Sequence, residues 1–464
     1  MNGRSGNKWL FAILQNLTTN PAQTMVTSFL VLILAGTMLL MMSFTTADGT
    51  RLGFINAFFT ATSAVCVTGL IVVDTATKFS IIGKIVILIL IQFGGLGIMM
   101  FTYCTAYLLG RKISLKEKLA LSYMLNENDL QLLSKSILKI IFTTLTIELI
   151  GAFLLIVPFY KHFGLSWKTF FYSVFHSISA FCNAGFALFS NSLEGFKSDS
   201  LLIIAIACLI ILGGISFPVI MNVYQHTKEQ INYKIRKLQT PRPSLTMNTK
   251  AVLVITFILI ILGTIIFYGL EHKDNLVQHS LKAQYLSAFF QSVTLRTAGF
   301  NSLDLTHLKT PTYLIMLLFM FIGAAAGSTA GGIKVNTIAV IYAYIKAIFK
   351  NRFSVILYGH FLPKYVVSKA LLIVLLASIA IFTGTLLLSI TENFTFMDIL
   401  FETVSAFGTV GLSTGITPSL TALGKIIITT MMFLGRLGPL TIMAAFVAKT
   451  KFQAKYPEGY INLG

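Results

Sequence analysis

The chain has 464 residues, 55% of them hydrophobic and only 11% charged, with a mean hydropathy of +0.82 and a formal net charge of +19. A soluble chain carries about 25% charged residues, so an ordinary soluble enzyme and a disordered chain are both excluded. The composition is that of an integral membrane protein, and 39 Phe suit a lipid-facing surface.

The basic charge is not spread evenly. Five polar stretches, 1–21, 104–139, 225–250, 334–369 and 447–464, hold 23 Lys and Arg against 5 Asp and Glu, leaving 12 basic and 11 acidic residues elsewhere. That asymmetry is the positive-inside pattern and places those stretches in the cytoplasm. Nucleic-acid binding would need basic and aromatic residues interleaved on one folded face, and no such module occurs.

Taken in chain order, residues 1–21 form a cytoplasmic N-terminus and 22–110 a first repeat, with apolar runs at 24–44 and 85–109 around a short apolar stretch at 54–65. The run at 24–44 follows Arg4 and Lys8 as a signal peptide would. It is too long for that role and no small-x-small site follows, so it reads as a retained span. A linker at 111–139 leads to a second repeat, 140–225, with runs at 140–160 and 201–224 around 167–181. After a linker at 226–249, the third repeat, 250–348, has runs at 251–270 and 310–333 around 285–294. A linker at 349–365 precedes the fourth repeat, 366–448, with runs at 370–391 and 426–448 around 396–407, and 449–464 form the C-terminus.

A bilayer needs about 20 apolar residues per helix. The eight long runs meet that length, and an even number returns the C-terminus to the N-terminal, cytoplasmic side. The four short stretches are too short to cross. Short apolar helices followed by irregular backbone mark re-entrant loops, tolerated only where they line a water-filled cavity. The expected fold is all-α and integral to the membrane, with four span–hairpin–span repeats around a pseudo-fourfold central pore.

The segments after the short stretches repeat one pattern. They read Ser63-Ala64-Val65-Cys66-Val67-Thr68-Gly69-Leu70, Ser179-Ala180-Phe181-Cys182-Asn183-Ala184-Gly185-Phe186, Val293-Thr294-Leu295-Arg296-Thr297-Ala298-Gly299-Phe300 and Ser405-Ala406-Phe407-Gly408-Thr409-Val410-Gly411-Leu412. Glycine at one register permits φ > 0, so successive carbonyls can point inward. Rings of such carbonyls replace the hydration shell of a monovalent cation. Of the four cysteines, Cys66 and Cys182 fall in this repeat, while Cys104 and Cys208 read as small apolar residues in a membrane core. No C-x-x-C or His cluster points to zinc or thiol redox chemistry.

On these four loops, and on Gly323-Ala324-Ala325-Ala326-Gly327-Ser328-Thr329-Ala330-Gly331-Gly332-Ile333-Lys334, the chain resembles the Trk/Ktr/HKT superfamily of potassium transporters over residues 22–448, most nearly its Ktr-type membrane subunit. Trk-type relatives carry two extra N-terminal spans, whereas 21 residues precede the first span here. The resemblance implies a K+ filter of Val67, Thr68, Gly69, Asn183, Ala184, Gly185, Thr297, Ala298, Gly299, Thr409, Val410 and Gly411. Plant relatives with Ser at the first glycine prefer sodium, so Gly69 implies potassium selectivity. Arg296 is a cation beside this filter, and its guanidinium is expected to turn away and pair with Glu402, Asp304 or Glu392.

A run of Gly, Ala, Ser and Thr at 323–332 makes a poor helix. It suits either close helix packing or, as the resemblance implies, a flexible gate beneath the filter, ending at Lys334. Only Glu148 and Arg436 charge the long runs, and an intramembrane charge is a functional hypothesis in itself. Arg436 is expected to donate to carbonyls of the gate, or alternatively to pair with Glu148. Lys334 reads equally as a snorkelling anchor.

The expected function is a K+-translocating subunit of a bacterial plasma membrane, working by diffusion through a gated filter. The alternative is a secondary K+ transporter coupled to Na+ or H+, for which broken helices and internal repeats also occur. An enzyme is not expected, because the seven His lie in no catalytic spacing. No covalent cofactor is expected; K+ is the transported ion and Na+ a candidate activator. The chain has no nucleotide-binding fingerprint, and the resemblance implies a homodimer bound to a cytosolic nucleotide-binding RCK (KTN) ring.

Overall fold

Each repeat opens with a helix whose length follows from an uninterrupted apolar run. The computed structural model describes residues 21–97, 130–236, 244–277 and 280–446. The termini, the inner part of the run at 85–109, Cys104 and most of the linker at 111–139 lie outside the described residues, as do 237–243 of the next linker.

The first repeat comprises α1 (Pro21–Leu40), α2 (Phe54–Val65) and α3 (Ile81–Leu96). The second has α4 (Leu130–Phe163), α5 (Trp167–Phe181), α6 (Ser200–Ile215) and α7 (Phe217–Arg236). The third has α8 (Met247–Glu271), α9 (Leu281–Thr294), α10 (Thr310–Phe321) and α11 (Val335–Phe349). The fourth has α12 (Lys364–Thr391), α13 (Phe396–Gly408), α14 (Ala422–Leu437) and α15 (Pro439–Phe446). Their starts are written locally as N-caps, which satisfy otherwise orphaned N–H groups. Ser80, Ser166, Thr246, Ser280, Thr395 and Thr421 each accept a hydrogen bond from the backbone three residues on.

Within α1, α4, α8 and α12, only about a third of the most apolar stretch is buried inside the protein. Val31, Phe153, Phe257 and Phe382 stand 62–71% exposed. So large an apolar surface requires a nonpolar surround, which a bilayer supplies. These four helices are long and apolar enough to cross one singly, and two bent pairs qualify jointly.

Three of the long apolar runs are broken; the break within 310–333 falls at the expected small-residue stretch, whereas the other two interrupt runs expected to be continuous. The helix expected over 201–224 bends by 98° between α6 and α7, and that expected over 426–448 bends by 90° between α14 and α15. At the breaks Ser216 has φ 87° and Gly438 φ 82°, the same conformation as Gly97 (φ 85°) after α3. Pro218 follows two residues after Ser216 and Pro439 directly after Gly438, and proline cannot continue an i→i−4 ladder. The run at 310–333 stops at Phe321 and resumes only at Val335. The linker at 349–365 contains a small antiparallel hairpin, β1 (Val355–Leu357) and β2 (His360–Leu362), turned by Tyr358 and Gly359, both at positive φ, as a two-residue turn requires.

The repeats follow one another around a circuit. Each short helix packs on the first helix of its own repeat, in the pairs α1–α2, α4–α5, α8–α9 and α12–α13. The second long helix then meets the short helix of the next repeat: α3 with α5, α6 with α9, α10 with α13, and α14 back on α2. Gly94, Gly213 and Gly435 make room at three corners. A Cβ on any of them would collide with the carbonyl of Val65, Phe181 or Phe407, at or next to the end of its own repeat's short helix.

Candidate functional site

The loops after α2, α5, α9 and α13 share one backbone course. The chain turns left-handed at Val67 (φ 55°), Asn183 (57°), Thr297 (66°) and Thr409 (50°). It does so again two residues on, at Gly69 (91°), Gly185 (70°), Gly299 (78°) and Gly411 (88°). Val and Thr avoid positive φ, so their surroundings must hold them there. Hydrogen bonds do this: Thr68 N donates to Ser63 O, Ala184 N to Ser179 O and Val410 N to Ser405 O, each at 2.8 Å. The Ser63 and Ser179 hydroxyls reach across to Leu70 O (2.7 Å) and Phe186 O (2.8 Å).

The third loop is one residue shorter at its helical end. Thr294, not Val293, takes the serine's place, donating to Phe300 O at 2.6 Å and accepting from Ala298 N at 3.0 Å. The repeat alignment therefore holds at the glycine and slips by one at the hydroxyl.

The four glycines meet. A Cβ on Gly69 would lie 2.6 Å from Ala184 O, one on Gly185 2.9 Å from Ala298 O, and one on Gly299 2.7 Å from Val410 O, while one on Gly411 would collide with Thr68 O. Each loop thus faces the next in chain order and the fourth closes on the first. The hydroxyls of Thr68, Thr297 and Thr409 are buried here with no hydrogen-bond partner among the described residues.

On one side of this ring lies a cavity of about 390 Å³, bordered by all four glycines and by Glu194 and Asp304. The Thr306 backbone N–H donates to Asp304 at 2.9 Å and holds its carboxyl below the ordinary range. Burial, and the nearby Asp304, push Glu194 upward against the Asn301 amide donated at 2.7 Å.

On the other side sits the non-helical segment between α10 and α11. Ala325 N and Thr329 N donate to Gly214 O (3.0 Å) and Gly213 O (3.4 Å), and Thr329 Oγ1 to Phe181 O (3.1 Å), which ties the segment to the second repeat. Gly331 abuts Thr409 so closely that a Cβ would collide with its hydroxyl, and Gly332 lies beside Gly408. Gly323 N donates to Ile333 O at 2.8 Å, closing the segment at its base. Ala324, Ala325 and Ala330 are buried, while Ala326, Gly327 and Ser328 are half-buried.

Arg436 and Lys334 hold this segment by its carbonyls. Arg436 donates from Nη1 to Thr329 O, and from Nη2 to Gly94 O (2.5 Å) and Gly95 O (3.0 Å). Lys334 Nζ donates to Ala330 O (2.6 Å) and Gly331 O (3.2 Å). Arg436 forms no ion pair with Glu148, whose carboxylate instead accepts from Gln92 Nε2 at 3.0 and 3.1 Å, with Cys182 Sγ 3.9 Å away.

Arg296 departs from its expected pairing. It is 3% exposed, and among the described residues its Nε has no hydrogen-bond partner and it forms no ion pair. The three candidate carboxylates are engaged elsewhere: Glu402 by Ser413 (2.8 Å) and Thr417, Asp304 by Thr306, and Glu392 by Thr421 (2.5 Å). Its Nη2 points toward Gly214, 3.9 Å from where a Cβ would stand. The Asn183 amide approaches the same spot while its nitrogen donates to Ala180 O (3.0 Å) and Ile210 O (3.1 Å).

Several partners were not anticipated from the residues alone. Gln92, the Gly94 and Gly95 carbonyls, and Asn336, whose Oδ1 accepts from Ala326 N at 3.0 Å, all belong to the assembly. A signal existed for some of them. Gly94-Gly95-Leu96-Gly97, Gly213-Gly214-Ile215-Ser216 and Gly435-Arg436-Leu437-Gly438 form a second repeated pattern, which marks the helix breaks.

Known proteins share this chain's sequence and shape. Residues 7–455 match the TrkH family, described as a cation transport protein. The chain is 38% identical to the Ktr system potassium uptake protein B of Vibrio alginolyticus, covering 94% of this chain and 93% of that one. It is 37% identical to the Bacillus subtilis protein of the same name, covering 96% and 97%. It is 34% identical to the potassium/sodium uptake protein NtpJ of Enterococcus hirae, with coverage of 96% and 97%. The crystal structure of the potassium transporter TrkH from Vibrio parahaemolyticus superposes with a TM-score of 0.71 over 91% of this chain and 83% of that one, at 18% identity, a likeness of fold. The family match takes in all four glycine loops and the segment between α10 and α11, and on that evidence the chain belongs to the TrkH family of cation transport proteins.

Proposed function

We propose that this chain is the potassium-translocating membrane subunit of a bacterial Ktr-type uptake system, a transporter rather than an enzyme. One observation carries the reading: four loops with matched left-handed turns close into a ring at Gly69, Gly185, Gly299 and Gly411. Left-handed residues alternating with ordinary ones turn successive carbonyls to one side. A ring of carbonyls then replaces the water around K+, with the twelve residues from Val67 to Gly411 named above as the filter. The short helices direct their C-terminal partial negative charge at the same point, which favours a cation.

In this reading eight crossings surround a pseudo-fourfold pore in the plasma membrane, with both termini cytoplasmic. Residues 323–332 are the gate, held shut by Arg436 and Lys334. The names of the Vibrio and Bacillus relatives refer to a system, which supports partner subunits; we assign a homodimer and a cytosolic nucleotide-binding RCK/KTN ring. Sodium, named for the Enterococcus relative, is the candidate activator.

The test is K+ against Na+ flux in proteoliposomes holding the purified chain, beside Gly69→Ser. A side chain at Gly69 would press on the Ala184 carbonyl, so K+-preferring flux should lose its selectivity in the variant. Unchanged selectivity in Gly69→Ser would sink the filter assignment. Flux that requires an imposed Na+ or H+ gradient would move the protein to coupled transport.

A further inference from the structure

Beyond the gate lies a second, smaller cavity of about 150 Å³, whose polar border includes Ser328, Lys334, Arg436 and Thr441. Among the described residues no carboxylate lines it and neither cation forms an ion pair. Lysine has three donors and arginine five. Two of the lysine's are given to Ala330 and Gly331, and hydrogen bonds to Thr329, Gly94 and Gly95 occupy the arginine's η nitrogens. Donors therefore remain on both, both side chains are only half-buried, and no acceptor among the described residues takes them. Two positive charges facing one small space, with donors to spare, are complementary to an anion. Its size limits the ligand to a small inorganic ion.

We propose that this cavity binds a halide-class anion between Lys334 and Arg436, and that the anion stabilises the closed gate. The inference rests on the gate reading for its effect on flux, but not for the site itself. Both cations stand where they do because they hold carbonyls of the closed segment. An anion that needs both binds the closed arrangement better than an open one, and so shifts the population toward it.

Two measurements separate the parts. Crystals of the full chain grown in bromide should show an anomalous peak between Lys334 Nζ and the Arg436 guanidinium, lost in Lys334→Gln and kept in Lys334→Arg. In proteoliposomes, Rb+ flux through the wild-type chain should be a few-fold lower with chloride than with gluconate on the cytoplasmic side, and Lys334→Gln should abolish that ratio whatever its own basal flux. Folded crystals with no bromide peak would overturn the site. A bromide peak with equal flux in chloride and gluconate would overturn the regulation and leave the site. Should the chain conduct nothing, the potassium reading fails while the bromide peak still decides the site.

Discussion

A single carboxylate shows how position rather than type sets what a residue does in this protein. Glu148 is 5% exposed in an apolar helix, and among the described residues its carboxylate meets only neutral donors, the Gln92 amide and the Cys182 thiol. An ionised carboxylate there is costly, so the amide isostere should serve almost as well. Glu148→Gln should change thermal unfolding in detergent little. Glu148→Leu, which leaves the Gln92 nitrogen unpaired, should cost about 1–3 kcal/mol. Equal losses in both variants would show that the negative charge itself is required.

At the scale of elements, the segment between α10 and α11 is coupled to the ring above it by contact. Gly331 has no room for a Cβ beside Thr409, whose hydroxyl, methyl and Cβ all crowd the position. Gly331→Ala should therefore displace the segment and raise K+ flux. Arg436→Ala should act the same way by a different route, removing hydrogen bonds from a charged donor worth about 1.5–3 kcal/mol each. That shift corresponds to roughly tenfold or more in the closed-to-open ratio. Flux unchanged in both, with protein folded and inserted, would show that this segment is packing and not a gate.

For the whole molecule, the distribution of charge matters more than the total of +19. Glu194 and Asp304 face the larger cavity beside the glycine ring. Clefts lined by one sign of charge concentrate counter-ions, an effect that salt screens. The double variant Glu194→Gln/Asp304→Asn should raise the K+ concentration for half-maximal flux several-fold at low ionic strength, and the difference should shrink as inert salt is added. A difference independent of salt would point to direct coordination instead. On the far side of residues 323–332 the sign reverses, with Lys334 and Arg436 uncompensated among the described residues, so in the proposed reading a closed pore would present K+ with an attractive entrance and a repulsive exit.

Membership of the class could be read from composition alone, because 11% charge in 464 residues leaves a chain too little polar surface to be soluble. The four loops were equally legible, since only glycine recurring at one register marks a backbone that must turn left-handed. The sequence pattern also singled out 323–332, where small residues fail to support a helix. Tertiary structure decided the rest. Hydropathy reports how apolar a run is and not whether it is straight, so the 98° and 90° bends passed unseen under continuous apolar sequence. Spacing carries no information about contacts across the chain: Arg436 lies 107 residues from Thr329 and more than 340 from Gly94 and Gly95. The same holds for Arg296, for which charge suggested a carboxylate. Packing placed it against Gly214 instead, while hydroxyls and backbone amides engaged Glu402, Asp304 and Glu392, the three acids expected to pair with it.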